Sequence, residues 1–265
     1  MKQLQKIATP ISHLFENRQF GEEISAVSDC LEVRERSLDS QWPNQRLFHI
    51  DIDLTHEWDD SIRSYLQDAF EKKHQLELIT LQATRRCLGE KMINGIFQLE
   101  GKVYNQQEML KNAVDNTKWL KYILDDGIKI GLENNNFYPT PAYDIITDGE
   151  FITTVIKTND LYLLLDLAHA MVTAHNLKIN YRDYIETLPL DKLIQLHICQ
   201  PELPIDSIAY DAHNEPDSNM IAEVINLISK FPHIKYLTIE FYKEKNVLID
   251  SIKKLRKSLA ILGNS

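Results

Sequence analysis

Two short spacings in this sequence pair an acid with an imidazole. Asp166-Leu-Ala-His169 is a D-x-x-H, and Asp211-Ala-His213 is a D-x-H. Both side-chain types are ligands for divalent metals. An extended D-x-H points both side chains to one side, so they can share a site. In D-x-x-H the Asp leaves a strand and the His begins the next turn. Other ligand-type residues close short apolar runs: Glu133, His197 and Glu240, with Asp166 itself ending the run at 161–166. His49 lies in Phe48-His49-Ile50-Asp51. Four carboxylates drawn into one place repel one another, and some stay protonated unless cations intervene. Divalent metals remove that cost, and a mixed His and carboxylate set suits Fe(II), Zn(II) or Mn(II) better than Ca(II) or Cu(I). The candidate ligands are His49, Glu133, Asp166, His169, His197, Asp211, His213 and Glu240. They exceed what one ion uses, so two or three ions are expected.

Each candidate alone has an ordinary explanation. An Asp at a strand end often only caps a helix. The run Asp-His-Asn-Glu-Pro-Asp at 211–216 reads equally well as a turn. A lone His is more often a packed or solvated residue than a ligand. The joint placement at strand ends is what distinguishes the set. His13, His56, His74, His175 and His233 are read as structural, His56 lying just past a strand. Asn134, Asn135 and Asn136 either orient ligands or cap a turn. Tyr138 and Tyr143 line the mouth or pack. Arg85 and Arg86 meet a substrate carboxylate or are surface charge. Cys199, two residues after His197, either shares its face or is an inert buried thiol.

The elements that must position these residues alternate between short apolar runs and longer helical patterns. Strands are expected at 11–15, 30–34, 48–53, 76–81, 128–133, 161–166, 193–197 and 235–240. Helices are expected at 57–72, 107–124, 149–158, 169–176, 218–230 and 243–262. Near-continuous apolar strands suit a parallel sheet covered on both faces. The count and spacing fit a closed α/β architecture, a (β/α)8 TIM barrel, in which chemistry gathers at the C-terminal ends of the strands. An open doubly wound sheet would call for a Gly-rich phosphate turn, and no GxGxxG or GxxxxGKS/T occurs. Residues 1–265 are expected to form a single TIM-barrel domain.

Composition narrows the function classes. The chain has 265 residues, which suits such a barrel, and a formal net charge of −10. That balance lacks the basic footprint of a phosphate-binding protein. No apolar run reaches the length of a membrane span, and residues 1–10 carry no apolar h-region of a secretory signal. Cys30, Cys87 and Cys199 are odd in number and far apart, which fits a reducing, cytoplasmic setting.

The order His, Glu, D-x-x-H, His, D-x-H, Glu resembles the xylose isomerase-like barrel superfamily, and in particular the trinuclear zinc site of endonuclease IV-type enzymes. The stretch 131–259 is similar to the family known as domain-of-unknown-function 692, whose characterised members are multinuclear non-heme iron oxidative enzymes such as the methanobactin-biosynthesis oxidase. The residues that carry this are Gly131-Leu-Glu-Asn-Asn-Asn-Phe-Tyr-Pro-Thr with Ala142-Tyr-Asp, then Leu163-Leu-Leu-Asp-Leu-Ala-His-Ala. Leu188-Pro-Leu-Asp-Lys-Leu-Ile-Gln-Leu-His197, Asp211-Ala-His213 and Leu237-Thr-Ile-Glu240-Phe-Tyr complete the set. The resemblance implies iron as the metal, with zinc or manganese as alternatives, together with dioxygen and a cysteine-containing peptide substrate. His49 matches the family's first strand-end His. Where the family has another His on the next metal-facing strand, this chain reads Leu78-Ile-Thr-Leu-Gln82-Ala-Thr. A neutral amide is a poorer ligand than imidazole. The ion beside His49 is therefore expected to be the weakest or absent.

Three functions compete. One is a metal-dependent oxidase or oxygenase acting on a cysteine-containing peptide or related small substrate in ribosomal-peptide modification. Another is a metal-dependent sugar isomerase or epimerase, or an endonuclease IV-like phosphodiesterase; no Lys at a strand end supports the isomerase, and the acidic balance disfavours the nuclease. The third is a non-catalytic peptide-binding barrel. The expected partners are a peptide or small-molecule substrate and a partner protein presenting a peptide, with neither nucleic acid nor membrane. No catalytic residue is singled out beyond the metal ligands.

Overall fold

The computed structural model describes residues 5–263. Among these residues, eight parallel strands close a barrel: β1 Lys6–Pro10, β2 Cys30–Val33, β3 Gln45–Asp53, β4 Leu78–Gln82, β5 Lys129–Glu133, β6 Tyr162–Asp166, β7 Leu193–Ile198 and β8 Tyr236–Ile239. Each strand pairs with its neighbours in sequence, and β8 closes on β1 through Lys6↔Tyr236, Ile7↔Leu237 and Ala8↔Thr238. The expected (β/α)8 barrel is therefore what the sequence forms.

The connections carry helices α1 Arg18–Val27, α2 Asp60–Glu71, α3 Gln106–Ile123, α4 Gly149–Thr158, α5 Leu167–Leu177, α6 Tyr181–Glu186, α7 Ser218–Lys230 and α8 Lys245–Gly263. Their starts are set by side-chain caps. Asp59, Asp148 and Asp217 each accept a backbone N–H of the first turn. Asn105 and Glu108 form a reciprocal capping box on α3. The apolar stripes of these helices cover the outward faces of the strands, where Leu31, Phe48, Ile79, Leu132, Leu163 and Leu237 are buried. No helix among the described residues is long and apolar enough to cross a membrane.

The first strand differs from its expected place. Residues 11–15 are apolar and buried in part, but Ser12 caps a 3-10 turn at His13–Glu16, and the strand is the preceding Lys6–Pro10. Ile11, Leu14 and Phe15 reach the core from that turn. Burial without clean alternation leaves strand and turn indistinguishable in sequence.

Alternation along the strands sorts side chains into layers inside the barrel. The lowest layer, Ala8, Cys30, Leu47, Leu78, Ile194 and Tyr236, is a small apolar cluster of its own. One step up lie Glu32, His49, Thr80, Gln195 and Thr238, all buried. The top layer carries Arg34, Gln82, Glu133, Asp166, His197 and Glu240. A register shift between Leu163 and Leu164 lets β7 place both Ile194 and Gln195 inside. Gly131 occupies the β5 position opposite Thr80, where a Cβ would lie 3.0 Å from Thr80 Cγ2. Two hairpins leave the C-terminal rim, Met92–Ile93 with Ile96–Phe97 and Gln200–Glu202 with Tyr210–Asn214.

Candidate metal centre

The structure brings all eight candidate ligands to the C-terminal half of the barrel. Glu133 and Asp166 are the last residues of β5 and β6, His197 is the penultimate residue of β7, and Glu240 directly follows β8. Asp211 and His213 arrive on the second hairpin. His49 departs from its expected strand-end place: β3 runs on to Asp53, so His49 sits one layer deeper. The D-x-H is not a plain extended pair either, since His213 has a left-handed φ of 45°. Its Nε2 still lies 3.1 Å from Asp211 Oδ2 and 3.6 Å from Glu240 Oε2.

Asp166 is both a cap and a candidate ligand. Its Oδ1 accepts the backbone N–H of His169 at 2.7 Å and starts α5. Its Oδ2 is buried with no hydrogen-bond partner. Asn134 fixes the backbone around it, donating Nδ2–H to Asp166 O at 3.0 Å and accepting Asp166 N–H at 2.8 Å. The Asn134 side chain thus braces the backbone of Asp166.

Three imidazoles are aimed by groups behind them, the usual way a metal-binding His is oriented. Asn134 O, which can only accept, takes the Nδ1–H of His169 at 2.9 Å. This turns His169 Nε2 toward Asp166 Oδ2 at 3.8 Å and Asp211 Oδ2 at 3.6 Å. Glu32 Oε2 accepts His197 Nε2–H at 3.2 Å. His197 Nδ1 then faces Glu133 Oε1 at 3.0 Å, Glu240 Oε1 at 3.4 Å and Asp166 Oδ2 at 3.8 Å, without a well-formed hydrogen bond to any of them. Thr80 Oγ1 holds His49 Nδ1 at 2.9 Å. The other nitrogen of His49 lies 3.5 Å from Glu133 Oε2, but the Gln82 amide nitrogen sits 2.8 Å from it.

Buried charges of opposite sign balance one another in this cluster. Burial opposes ionisation of Glu133, yet His49, His169 and His197 hold its carboxyl below the usual range. Burial likewise opposes the charge on Glu240, and His197 with Arg34 pulls it well below that range. Burial pushes Asp166 up to about 7, against the pull of His169. His169 and His197 stay protonated well above the ordinary imidazole range despite burial, because Asp166 and Glu133 surround the first and Glu240 and Glu32 the second. A divalent cation displaces protons of this kind and takes over their role. Among the described residues, donor atoms lie within 4.8 Å of one another in four overlapping sets: His49 with Glu133 and His197; Glu133 with Asp166 and His169; Glu32 with His197 and Glu240; and Cys199 with His213 and Glu240. The orphaned Asp166 Oδ2 and His197 Nδ1 fit a bound metal, which would supply the missing partner.

Two contributors, Glu32 and Arg34, were not foreseen. Glu32 is buried and Arg34 half-buried in this centre, with Arg34 Nη2 2.6 Å from Glu32 Oε1 and ion-paired to Glu240. Their only sequence signal was a charged pair two residues apart, flanked by the apolar Leu31 and Val33. Cys199 shares the site's face, its thiol donating to Asp211 Oδ1 at 3.4 Å. Tyr143 packs against Tyr138 at 5.2 Å and is buried. Arg85 lies over the Phe97 ring at 4.4 Å, and Arg86 Nη1 is 3.8 Å from Asp144. His56 donates to Arg85 O at 2.7 Å and stacks on Tyr104.

Residues 102–259 match the family described as RiPP precursor modification enzyme MbnB/TglH/ChrH. A UPF0276 protein of Acaryochloris marina is 29% identical over 90 residues, 34% of this chain and 32% of its own length. A UPF0276 protein of Caulobacter vibrioides is 28% identical over 85 residues, 32% of this chain and 30% of its own length. The chain thus aligns with less than a third of each of these relatives. Among solved structures, a D-tagatose 3-epimerase-like protein superposes with a TM-score of 0.63 at 16% identity, covering 98% of this chain and 99% of that one. The 3-keto-D-glucoside 4-epimerase YcjR of E. coli gives a TM-score of 0.62 at 13% identity, with 96% and 99% covered. At such identities the likeness is one of fold, a (β/α)8 barrel.

Proposed function

Because this chain belongs to the RiPP precursor modification enzymes of the MbnB/TglH/ChrH family, we propose that it is a metal-dependent oxidase or oxygenase acting on a cysteine in a peptide. The observation that carries the metal reading is a pair of buried atoms without a well-formed hydrogen bond, Asp166 Oδ2 and His197 Nδ1, 3.8 Å apart among Glu133 and Glu240. Glu133, Asp166, His197 and Glu240 would hold one ion. His169, Asp211 and His213, with the free oxygens of Asp166 and Glu240, would hold a second. Iron bound there would supply one-electron redox chemistry and a Lewis-acidic anchor for a thiolate.

The residues around these ligands divide the work. Glu32, Thr80 and the Asn134 carbonyl keep the imidazoles aimed, so the ligand geometry exists before substrate arrives. The His213 side chain is 36% exposed, against 0% for Asp166 and His197. The substrate therefore approaches from the His213 and Asp211 side, between the second hairpin and Tyr242, whose ring lies 5.3 Å from His213. A peptide, brought directly or by a partner protein, suits that open side. The net charge of −10 supports a partner other than nucleic acid.

The test is anaerobic reconstitution with Fe(II), followed by dioxygen and a panel of cysteine-containing peptides read by mass spectrometry. The reading expects dioxygen consumption coupled to a mass change on the cysteine of a peptide. Epimerisation of a keto sugar with no peptide changed would replace it, as would tight, salt-dependent binding to abasic duplex DNA.

A further inference from the structure

Arg34 stands inside the proposed metal centre, and its surroundings differ from those of the free donors. Its side chain is 12% exposed and sits between two buried carboxylates, Glu32 and Glu240. Together with His197, those two offer donor atoms within 4.8 Å of one another, the spacing of a metal triad. Both Glu32 oxygens and Glu240 Oε1 are held on that side, Glu32 Oε1 by its ion pair alone. Glu32 Oε1 and Glu240 Oε1 face the guanidinium. Tyr242 OH donates to the same Glu240 oxygen at 3.2 Å. Glu32 Oε2 accepts from Gln195 Nε2 at 2.6 Å, Thr238 Oγ1 at 3.2 Å and His197 Nε2 at 3.2 Å. The contrast is with Asp166 Oδ2 across the centre, which has no hydrogen-bond partner and lies 3.8 Å from both His169 Nε2 and His197 Nδ1.

A guanidinium does not lose its proton in a protein, and its planar fork suits bridging two carboxylates. Two buried carboxylates with one fixed cation between them form a compensated group, and removing any one member leaves charge buried without a partner. An ion entering this corner would have to expel that cation.

Resting on the reading of the barrel mouth as a metal centre, we infer that Arg34 is a resident cation occupying the corner between Glu32 and Glu240 where a further metal ion would otherwise bind. It limits the number of ions the centre takes and leaves Glu240 only its Oε2 for metal. Replacing the guanidinium with a neutral imidazole removes the fixed charge and adds a donor, so it opens a new metal position.

The test counts metal per chain, by mass spectrometry of the element, in wild type, Arg34→Lys and Arg34→His reconstituted with excess Co(II) and desalted. Arg34→Lys keeps the wild-type number, and Arg34→His binds one additional ion. Equal, non-zero numbers in wild type and a folded Arg34→His overturn the inference and leave the proposed function standing. No metal in wild type with one ion in Arg34→His supports the inference and removes the proposed function. No metal in either removes both. Should Arg34→His fail to fold, a crystal structure of metal-loaded wild type decides. A guanidinium still bridging Glu32 and Glu240 supports the inference, and an ion seated between those carboxylates overturns it.

Discussion

Asp166 holds His169 with one carboxylate oxygen and keeps the other free. Oδ1 accepts the His169 backbone N–H at 2.7 Å, while Oδ2 is buried and unpartnered. The helix cap and the candidate ligand are therefore separable by chemistry. Asp166→Asn retains a carbonyl oxygen for the cap and loses the anion. We expect its melting temperature, metal-stripped, to stay near that of stripped wild type while bound metal falls. Asp166→Ala loses both, and the cap alone is worth about 1 kcal/mol. His74→Ala, at an exposed position past α2, changes neither stability nor metal content. Thermal melts with elemental analysis separate these outcomes.

His49 should matter least among the imidazoles for metal retention. Its outward nitrogen already has the Gln82 amide nitrogen at 2.8 Å, and Arg34 adds to burial in holding that imidazole down at about 4. His197 instead presents Nδ1 to three carboxylates without a well-formed hydrogen bond to any of them. We expect His49→Ala to leave most of the metal in place, whereas His197→Ala or Glu240→Ala strips it and abolishes activity with it. Equal metal loss in all three variants would contradict this ranking.

The pH dependence follows from which state holds the protons. Asp166 ionises near 7 in the fold against an ordinary 3.8, because of burial and the neighbouring Glu240, Asp211 and Glu133, with His169 pulling the other way. Between those two values the folded chain holds a proton that the unfolded chain has released. The stability of the metal-stripped protein therefore falls as pH rises through that window. His169 and His197, raised well above 6.5, extend the fall to higher pH. Metal binding expels these protons, so its stabilisation grows over the same range. The melting-temperature gap between loaded and stripped protein should widen from about pH 5.5 to about pH 7.5, with proton release measurable by calorimetry in two buffers. A gap that stays constant over that range would contradict the assignment.

The barrel was legible because its strands are buried on both faces, and runs such as Leu163-Leu164-Leu165 leave little else for the chain to do. The short helix α6 and the helix α1 were not anticipated, and the first strand was displaced because Ile11, Leu14 and Phe15 are buried from a turn. The site was legible where acids and imidazoles end strands, at Glu133, Asp166, His197 and Glu240. Glu32 and Arg34 were not, because a charged pair in sequence reads as a solvated surface. Only closure of β1 on β8 brings β2 across from β8 and places that pair against Glu240. Glu32 and the Asn134 carbonyl hold the imidazoles of His197 and His169 from behind, and such a role has no spacing to recognise.

The metal centre itself is tested most directly by anomalous diffraction at the iron edge, on crystals of the protein reconstituted anaerobically with Fe(II). The account predicts at least two anomalous peaks at the C-terminal mouth. One should be ligated by Glu133, Asp166, His197 Nδ1 and Glu240, the other by His169, Asp211 and His213, with Fe–N distances of about 2.0–2.2 Å. An iron-loaded crystal with no anomalous density among these residues, and with Asp166 Oδ2 still unpartnered, would contradict it.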